Sequence, residues 1–134
     1  DVCRDKGFDA VEADNVDGFE QDTGFPLTAG DQLRFNRWVA EQIHALGMAV
    51  ALRNDGTQAA ELEPNFDFVV TEDCVVQNNC EEYAPFRAAG KLHVNAEYTD
   101  TLIKLDRMCA IAHTQRFTSV LKHRSLDLFR ESCQ

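Results

Sequence analysis

Hydrophobic and polar residues alternate along the chain with two different periods. Short runs rich in Val, Phe and other β-formers, each with a two-residue period, predict five strands at residues 8–15, 48–55, 66–73, 91–98 and 117–124. The segments between them place apolar residues three or four positions apart, as amphipathic helices do. Strands that alternate with helices across short loops indicate a parallel sheet covered by helices.

The predicted helices carry recognisable start and stop signals. The longest begins after Thr28, an N-cap residue with Asp31 three positions later, and ends at Gly47. Shorter helices are predicted at residues 57–62, 81–89 and 99–115, and Ser125 is expected to cap a last one. Residues 1–7 resemble the final turn of a helix that starts upstream, so we expect the chain to be truncated at its start.

Polar side chains occur at the carboxyl ends of the first four strands. In each strand they occupy alternate positions, either the odd-numbered or the even-numbered residues. The residues are Glu12 and Asp14, Arg53 and Asp55, Glu72, and His93, Asn95 and Glu97. Residues of one parity share a face of a strand, so this pattern predicts that all of them point to one side and converge. A β/α barrel gathers its site at these ends. An open doubly wound sheet would do so only at its switch point, and the chain has no G-x-G-x-x-G or P-loop motif.

Length and charge narrow the class of protein and of ligand. The 134 residues, 44% of them hydrophobic, are enough for one domain with a buried core. The formal charge is -10, and the first 100 residues hold 7 basic and 20 acidic residues, a balance of -13. Such a surface disfavours nucleic acid and anionic membranes and favours a cationic ligand. No apolar run is long enough for a membrane span or a signal peptide.

The five cysteines favour an oxidising compartment. Cys74 and Cys80 flank a five-residue loop and are predicted to pair, and Cys109 is predicted to pair with Cys133. Cys3 then remains free or pairs outside the chain. This pattern predicts a secreted protein, with five reduced core cysteines in a cytosolic protein as the alternative.

A pocket lined by several carboxylates has two common uses. Two carboxylates on either side of a glycosidic bond can hydrolyse it, one as general acid and the other as nucleophile or general base. Metal binding is the rival use. Hydrolytic metal sites in barrels usually include imidazoles, and here His93 is the only histidine among the polar residues at the ends of the first four strands, so glycoside hydrolysis is favoured.

Five segments together resemble glycoside hydrolase family 114, the endo-α-1,4-polygalactosaminidases. They are "GFDAVEADNVDGF", "TGFPLTAGDQLRFNRWVAEQIHALGMAVALRND", "FDFVVTEDC", "NNCEEYAPFRAAGK" and "VNAEY", and the resemblance runs from about Cys3 to the C-terminus. It implies a (β/α)8 TIM barrel, an α/β fold of roughly twice this length, of which this chain supplies the last five strands as one partial domain. It also implies that the catalytic carboxylates are Asp14, in "EADN", and Glu72, in "TEDC". Ala13 and Thr71 depart from the usual Pro and Asn of these motifs.

The resemblance further implies an endo-acting enzyme that cleaves α-1,4-linked galactosamine-containing polysaccharide with no metal and no organic cofactor. Sugar hydroxyls or amines would be bound by Glu12, Arg53, Asp55, Asn95, Glu97 and Tyr98. Two other classes stay open at this point. One is a non-catalytic carbohydrate-binding or interaction protein, in which a second chain or a second copy completes the barrel. The other is a metal-dependent hydrolase.

Overall fold

The computed structural model describes residues 2–133 and contains one six-stranded sheet. The strands are β1 (Ala10–Glu12), β2 (Ala49–Arg53), β3 (Phe68–Glu72), β4 (Leu92–Tyr98), β5 (Thr118–Lys122) and β6 (Glu131–Ser132). They lie side by side in chain order. Neighbours among β1 to β5 are parallel, whereas β6 pairs with β5 in the antiparallel direction. The five predicted strands and their parallel arrangement are confirmed.

Helices connect the parallel strands, as the periodicity predicted. They are α1 (Val2–Asp5), α2 (Ala29–Ala45), α3 (Ala59–Leu62), α4 (Cys74–Gln77), α5 (Ala84–Ala88) and α6 (Leu105–Gln115). Short 3-10 turns occupy Gly56–Gln58, Glu63–Asn65 and Cys80–Tyr83, so the helices predicted at 57–62 and 81–89 are split into 3-10 and α segments. The predicted turn at residues 1–7 is present as α1, with residue 1 outside the described part of the chain.

Helix α2 has the ends that the sequence predicts. Thr28 Oγ1 accepts a hydrogen bond from the Asp31 amide, and the Asp31 carboxylate accepts one from the Thr28 amide, which completes a capping box. Gly47 follows the helix with φ +74°, a left-handed conformation that glycine adopts without a steric penalty. The buried side of α2 packs against β2.

The strands are shorter than predicted because the chain turns sharply at their carboxyl ends. Asn15, Asn54, Asp55 and Asp73 all have φ between 49° and 57°. Asn and Asp tolerate the left-handed region better than other residues with a side chain, since their short polar groups can bond locally. Side chains in these turns no longer follow the alternation of the strand, so parity does not predict where they point.

The strand register assigns each side chain of the sheet to a face, because partners in adjacent parallel strands point the same way. Val50, Leu52 and Val69 lie on the face that packs against the helices, where they are fully buried. Leu52 is level with Val69, and Val69 is level with His93. His93 therefore also faces the helices, whereas Arg53 and Glu72 occupy the opposite face.

The helix predicted after Ser125 is wrong. Residues from Ser125 onward form a turn and then β6, and Leu126 has φ +53°. The Asp127 carboxylate accepts hydrogen bonds from the Ser125 hydroxyl and from the Phe129 amide. Asp side chains that bond their own neighbouring backbone in this way compete with helix formation.

Both predicted disulfides are confirmed. Cys74 pairs with Cys80, with their Cα atoms 4.8 Å apart, and Cys109 pairs with Cys133 at 5.3 Å. The first bond ties α4 to the following 3-10 turn, and the second ties α6 to the segment after β6. Cys3 is exposed and has no disulfide partner within the described residues.

Candidate active site

Arg53, the last residue of β2, lies at the centre of a carboxylate cluster. Its Nη1 is 3.0 Å from Glu12 Oε1, its Nη2 is 2.5 Å from Glu72 Oε2, and its Nε is 3.8 Å from Asp14 Oδ1. The planar guanidinium fork can hold several carboxylates in fixed directions at once. The structure therefore brings Asp14, two residues beyond β1, and Glu72, the last residue of β3, against the same cation on the strand between them.

Glu72 is held from several sides. Its Oε1 accepts a hydrogen bond from the Tyr98 hydroxyl, and its backbone amide donates to Asn54 Oδ1 at 3.0 Å. The side chain is 31% exposed, so its carboxylate is fixed but still accessible. Asp14 is more open, with 65% of its side chain exposed.

Asp14 and Glu72 line the same cleft, of about 470 Å³. Its other residues are polar or small and come mainly from the loop after β1 and the end of β2: Asn15, Asp17, Gly18, Gln21, Thr23, Arg53 and Asn54. An open, polar cleft with two accessible carboxylates can accommodate a hydrated, hydroxyl-rich molecule.

The cluster shifts the proton affinity of its members. Burial raises the pKa of Glu12, and the neighbouring Asp14 and Glu72 add to that rise, while Arg53 opposes it. Burial and the hydrogen bond to Glu72 raise the pKa of Tyr98 to about 12. Tyr98 thus stays protonated and acts as a hydrogen-bond donor to Glu72 at physiological pH.

The prediction that Asn95 and Glu97 share this cleft is wrong. Thr71 is level with Asn95 and Glu72 with Ala96, so Asn95 and Glu97 point to the helix side. Both side chains are fully buried. The polar parity of β4 is the reverse of the polar parity in β1 to β3, and a shift of one residue moves every side chain to the other face.

On that helix side, Asn95 and Glu97 belong to a buried hydrogen-bond network. Asn95 Oδ1 accepts from the Thr71 hydroxyl at 2.8 Å and from the Cys74 amide at 3.3 Å. Asn95 Nδ2 donates to Glu97 Oε1, which also accepts from the Val75 amide. Burial raises the pKa of Glu97. The network supports the turn that follows Glu72.

His93 lies in the same buried layer. Its ring is 2.9 Å from the Thr71 hydroxyl through Nε2 and 3.0 Å from Arg87 Nη1 through Nδ1. Burial, with Arg87 adding to the effect, lowers the pKa of His93 to about 3. The imidazole is therefore neutral at physiological pH. It belongs to the buried layer on the helix side of the sheet and does not line the cleft.

Asp55 is placed differently from its prediction. It lies past the end of β2, is 2% exposed, and its Oδ2 accepts from Asn36 Nδ2 of α2 at 3.0 Å. It borders a second cleft of about 330 Å³, which shares Glu72 and three other residues with the first. Burial, together with the charges of Asp17 and Glu20, raises the pKa of Asp55 to about 7.

Three residues in or beside the site were not predicted from the sequence. Asn54 and Asp17 line both clefts, and Arg124, two residues beyond β5, contacts the ring of Tyr98. The "RND" run places Asn54 beside Arg53 and could have suggested it. Arg124 lies in the basic C-terminal third of the chain, and nothing in that local sequence links it to the cleft.

The chain matches the glycoside hydrolase family GH114 over residues 1–134. The chain belongs to this family. A crystal structure of Aspergillus fumigatus Ega3 in complex with galactosamine has a TM-score of 0.89 and 32% sequence identity, over 98% of this chain and 56% of that one. The prediction of a TIM-barrel type fold, of which this chain supplies a part, is confirmed by this similarity.

Two structures of the glycoside hydrolase domain of PelA from Pseudomonas aeruginosa share the fold. A variant of that domain has a TM-score of 0.69 at 16% identity, and a second structure has 0.62 at 15%. Each alignment covers 98% of this chain and 60% of the other. This GH114 chain thus spans a little over half the length of the structures it matches. No curated protein matches it.

Within residues 2–133, no group of three His, Cys, Asp or Glu side chains is arranged to hold a metal ion. No helix in that same range is long and apolar enough to cross a membrane.

Proposed function

We propose that this chain carries the carboxylate pair of a secreted, endo-acting glycoside hydrolase that cleaves α-1,4-linked galactosamine-containing polysaccharide. Asp14 and Glu72 form the pair. The observation that carries the proposal is their contact with one guanidinium, that of Arg53 on β2, from the carboxyl-end side of β1 and of β3 in an open cleft. Membership of GH114 supports a glycosidic bond as the target.

In the proposed reaction, one carboxyl group of the pair protonates the leaving oxygen and the other attacks the anomeric carbon or activates water. Arg53 holds both in place and compensates their charge. Glu12, on the other side of the guanidinium, completes that compensation, and Tyr98 fixes one oxygen of Glu72. Asn95 and Glu97 support the loop from behind the sheet and are not proposed to touch the sugar.

The charge around the clefts supports an amine-bearing sugar. The residues that line the two clefts include six acids, namely Asp14, Asp17, Glu20, Asp55, Glu72 and Glu82, against one base, Arg53. A polymer with free amino groups is cationic, so this lining would attract it at low salt. The galactosamine bound to Ega3 is consistent with such a substrate.

The electrostatic part of the proposal has its own test. Cleavage of deacetylated polymer should slow as ionic strength rises, mainly through an increase in KM, because salt screens charges that lie in open solvent. Cleavage that is independent of salt would remove electrostatic capture from the mechanism and leave the carboxylate pair untouched. The two disulfides support secretion, since such bonds persist in oxidising compartments.

The decisive experiment compares the intact protein with Asp14→Asn and Glu72→Gln on purified α-1,4-linked galactosamine polymer. Release of oligomers should fall by about 1,000-fold or more in either variant, because each carboxyl group acts in the transition state. Asp22→Asn, an exposed acid in the loop after β1, is the matched control and should cleave normally. A parent that binds the polymer without cleaving it would favour the carbohydrate-binding class instead.

A further inference from the structure

Arg124 is anchored by two carboxylates at the ends of neighbouring strands. Its Nε donates to Asp100 Oδ2 at 2.7 Å and its Nη2 donates to Asp100 Oδ1 at 3.1 Å, which is a bidentate pair. Nη2 also donates to Asp73 Oδ2 at 3.1 Å. Asp73 directly follows Glu72, and Asp100 lies two residues after Tyr98. One side chain after β5 therefore ties together the ends of β3 and β4.

The anchored guanidinium lies over the ring of Tyr98. Its central carbon is 4.0 Å from the ring centroid, well within the range of a cation–π contact. Tyr98 is 4% exposed, and its hydroxyl donates to Glu72 Oε1. A continuous set of contacts thus runs from Arg124 through the Tyr98 ring to one oxygen of Glu72.

The other oxygen of Glu72 is fixed separately. Oε2 lies 2.5 Å from Arg53 Nη2, so the two oxygens are held by two different groups. Arg53 sets the charge environment of the carboxylate, and Tyr98 sets its rotation about the last side-chain bond. A Tyr98 ring that was free to tilt would leave that rotation undefined.

We propose that Arg124 is a positioning residue for Glu72 and that it acts through Tyr98. The inference rests on the proposed function, in which Glu72 is one of the reacting carboxylates. Arg124 is suited to the role because its flat guanidinium can bind two carboxylates along its edge and cover an aromatic ring with its face. A lysine ammonium can do only part of this.

If Arg124 contributed only to stability, its replacement would have a different effect on the kinetics. Its side chain is 49% exposed, and ion pairs that open to solvent contribute little to folding. Loss of such a pair would lower stability slightly and leave kcat unchanged. A positioning role instead lowers kcat while KM stays nearly constant, because the substrate still binds but the carboxylate is misoriented.

The first test measures kcat and KM on α-1,4-linked galactosamine polymer for Arg124→Met, Arg124→Lys and Arg107→Met in the intact protein. Arg107 is an exposed arginine of α6, so its replacement removes the same charge elsewhere. We expect Arg124→Met to lower kcat about 30-fold with KM changed less than threefold, Arg124→Lys to recover part of the loss, and Arg107→Met to behave as the parent. An unchanged kcat in Arg124→Met would overturn the proposal.

The second test does not require activity. The chain has two tyrosines, so ring-labelled protein gives two sets of NMR signals, with Tyr83 as the internal reference. Glu72→Gln should shift the Tyr98 ring signals in the parent and have no further effect once Arg124→Met is present. Equal shifts in both backgrounds would overturn the proposal. The expected pattern in a protein that cleaves no polymer would support Arg124 as the group that positions Glu72 and would reject the proposed function alone.

Discussion

The sheet carries polar side chains on both faces, and the two sets have opposite properties. On the cleft face, the carboxylates around Arg53 are between 31% and 65% exposed and crowd one cation. On the helix face, Asn95 and Glu97 are fully buried and bond to each other and to backbone amides of the turn after β3. The carboxylates of the cleft face are accessible to a ligand. The polar groups of the helix face already have most of their hydrogen-bond partners within the protein.

This difference distinguishes residues that can bind or react from residues that stabilise the fold. Polar groups that are buried and hydrogen-bonded stabilise a particular backbone conformation, and breaking their network leaves unpaired groups inside the protein. Polar groups with accessible charge contribute little to folding and can bind or react. Equivalent substitutions on the two faces should therefore change different measured quantities.

Among residues outside the reacting carboxylate pair, the largest effect is expected from Arg53→Lys. An ammonium cannot reach Glu12, Asp14 and Glu72 together, so kcat should fall about 100-fold, while the free energy of unfolding changes by less than about 1 kcal/mol. Kinetics on galactosamine polymer and urea unfolding give the two numbers.

Arg87→Lys is the matched control for Arg53→Lys on the helix face. Arg87 has a similarly covered side chain, 10% exposed against 13% for Arg53, and bonds the Cys80 carbonyl and His93. This variant should lose stability and keep kcat. If both variants lost activity to the same extent, the proposed separation of the two faces would be wrong.

Asn95→Ala should cause the largest loss of stability. The substitution removes the acceptor for Thr71 and Cys74 and the donor to Glu97, so several buried groups lose a partner and unfolding should become easier by about 3 kcal/mol. Glu12→Gln on the cleft face is the comparison and should change stability by less than 1 kcal/mol. Equal losses of stability for Asn95→Ala and Glu12→Gln in urea unfolding would show that the buried network contributes no more to stability than the cleft face does.

Sequence reasoning located β4 but misassigned its faces, for a physical reason. In that strand His93, Asn95 and Glu97 alternate with Val94, Ala96 and Tyr98, and either parity can face the helices if the polar set is internally bonded. The register with β3 decides between them, and register is a tertiary property. Asp55 was misplaced because left-handed residues 54 and 55 break the alternation at the strand end.

Other features could be predicted because they depend on local chemistry. The Thr28 capping box and the Cys74–Cys80 loop need only short-range spacing. Glu12, Arg53 and Glu72 could be placed on one face because the polar residues of β1 to β3 alternate with apolar ones in each strand. Arg124 could not be found in this way, since its partners Asp73 and Asp100 meet it only after β3, β4 and β5 pair.

Loss of the Cys74–Cys80 disulfide should have an intermediate effect. The bond closes a loop with a sequence separation of 6, so replacing both cysteines by alanine should cost roughly 2 kcal/mol in urea unfolding. The bond follows Glu72 by two residues and lies beside the Asn95 network, so kcat should also fall by a few fold.

The Cys109–Cys133 pair spans 24 residues and is remote in sequence from the cleft. Its removal should cost at least as much stability with kcat unchanged, and a loss of kcat there would contradict the expected separation.

The smallest effect concerns Asp55 and its pH dependence. Its folded-state pKa of about 7 lies above the ordinary value of 3.8, so the folded protein binds more protons than the unfolded chain between these pH values. The contribution of Asp55 to stability is therefore full below about pH 4 and is lost as pH rises through 7. Asp55→Asn keeps an acceptor for Asn36 and removes the charge, so it should be about 1 kcal/mol more stable relative to the parent at pH 8 than at pH 6.

Urea unfolding at the two pH values measures the Asp55 effect, with Asp22→Asn as the exposed control that should show no such change. A stability difference for Asp55→Asn that is the same at pH 6 and pH 8 would mean that Asp55 is already ionised at pH 6. Asp55 would then resemble the exposed acids of the cleft in its ionisation, despite being 2% exposed. The expected result instead groups Asp55 with the buried polar residues, as a group at the edge of the cleft whose pKa is raised by burial first and then by the charges of Asp17 and Glu20.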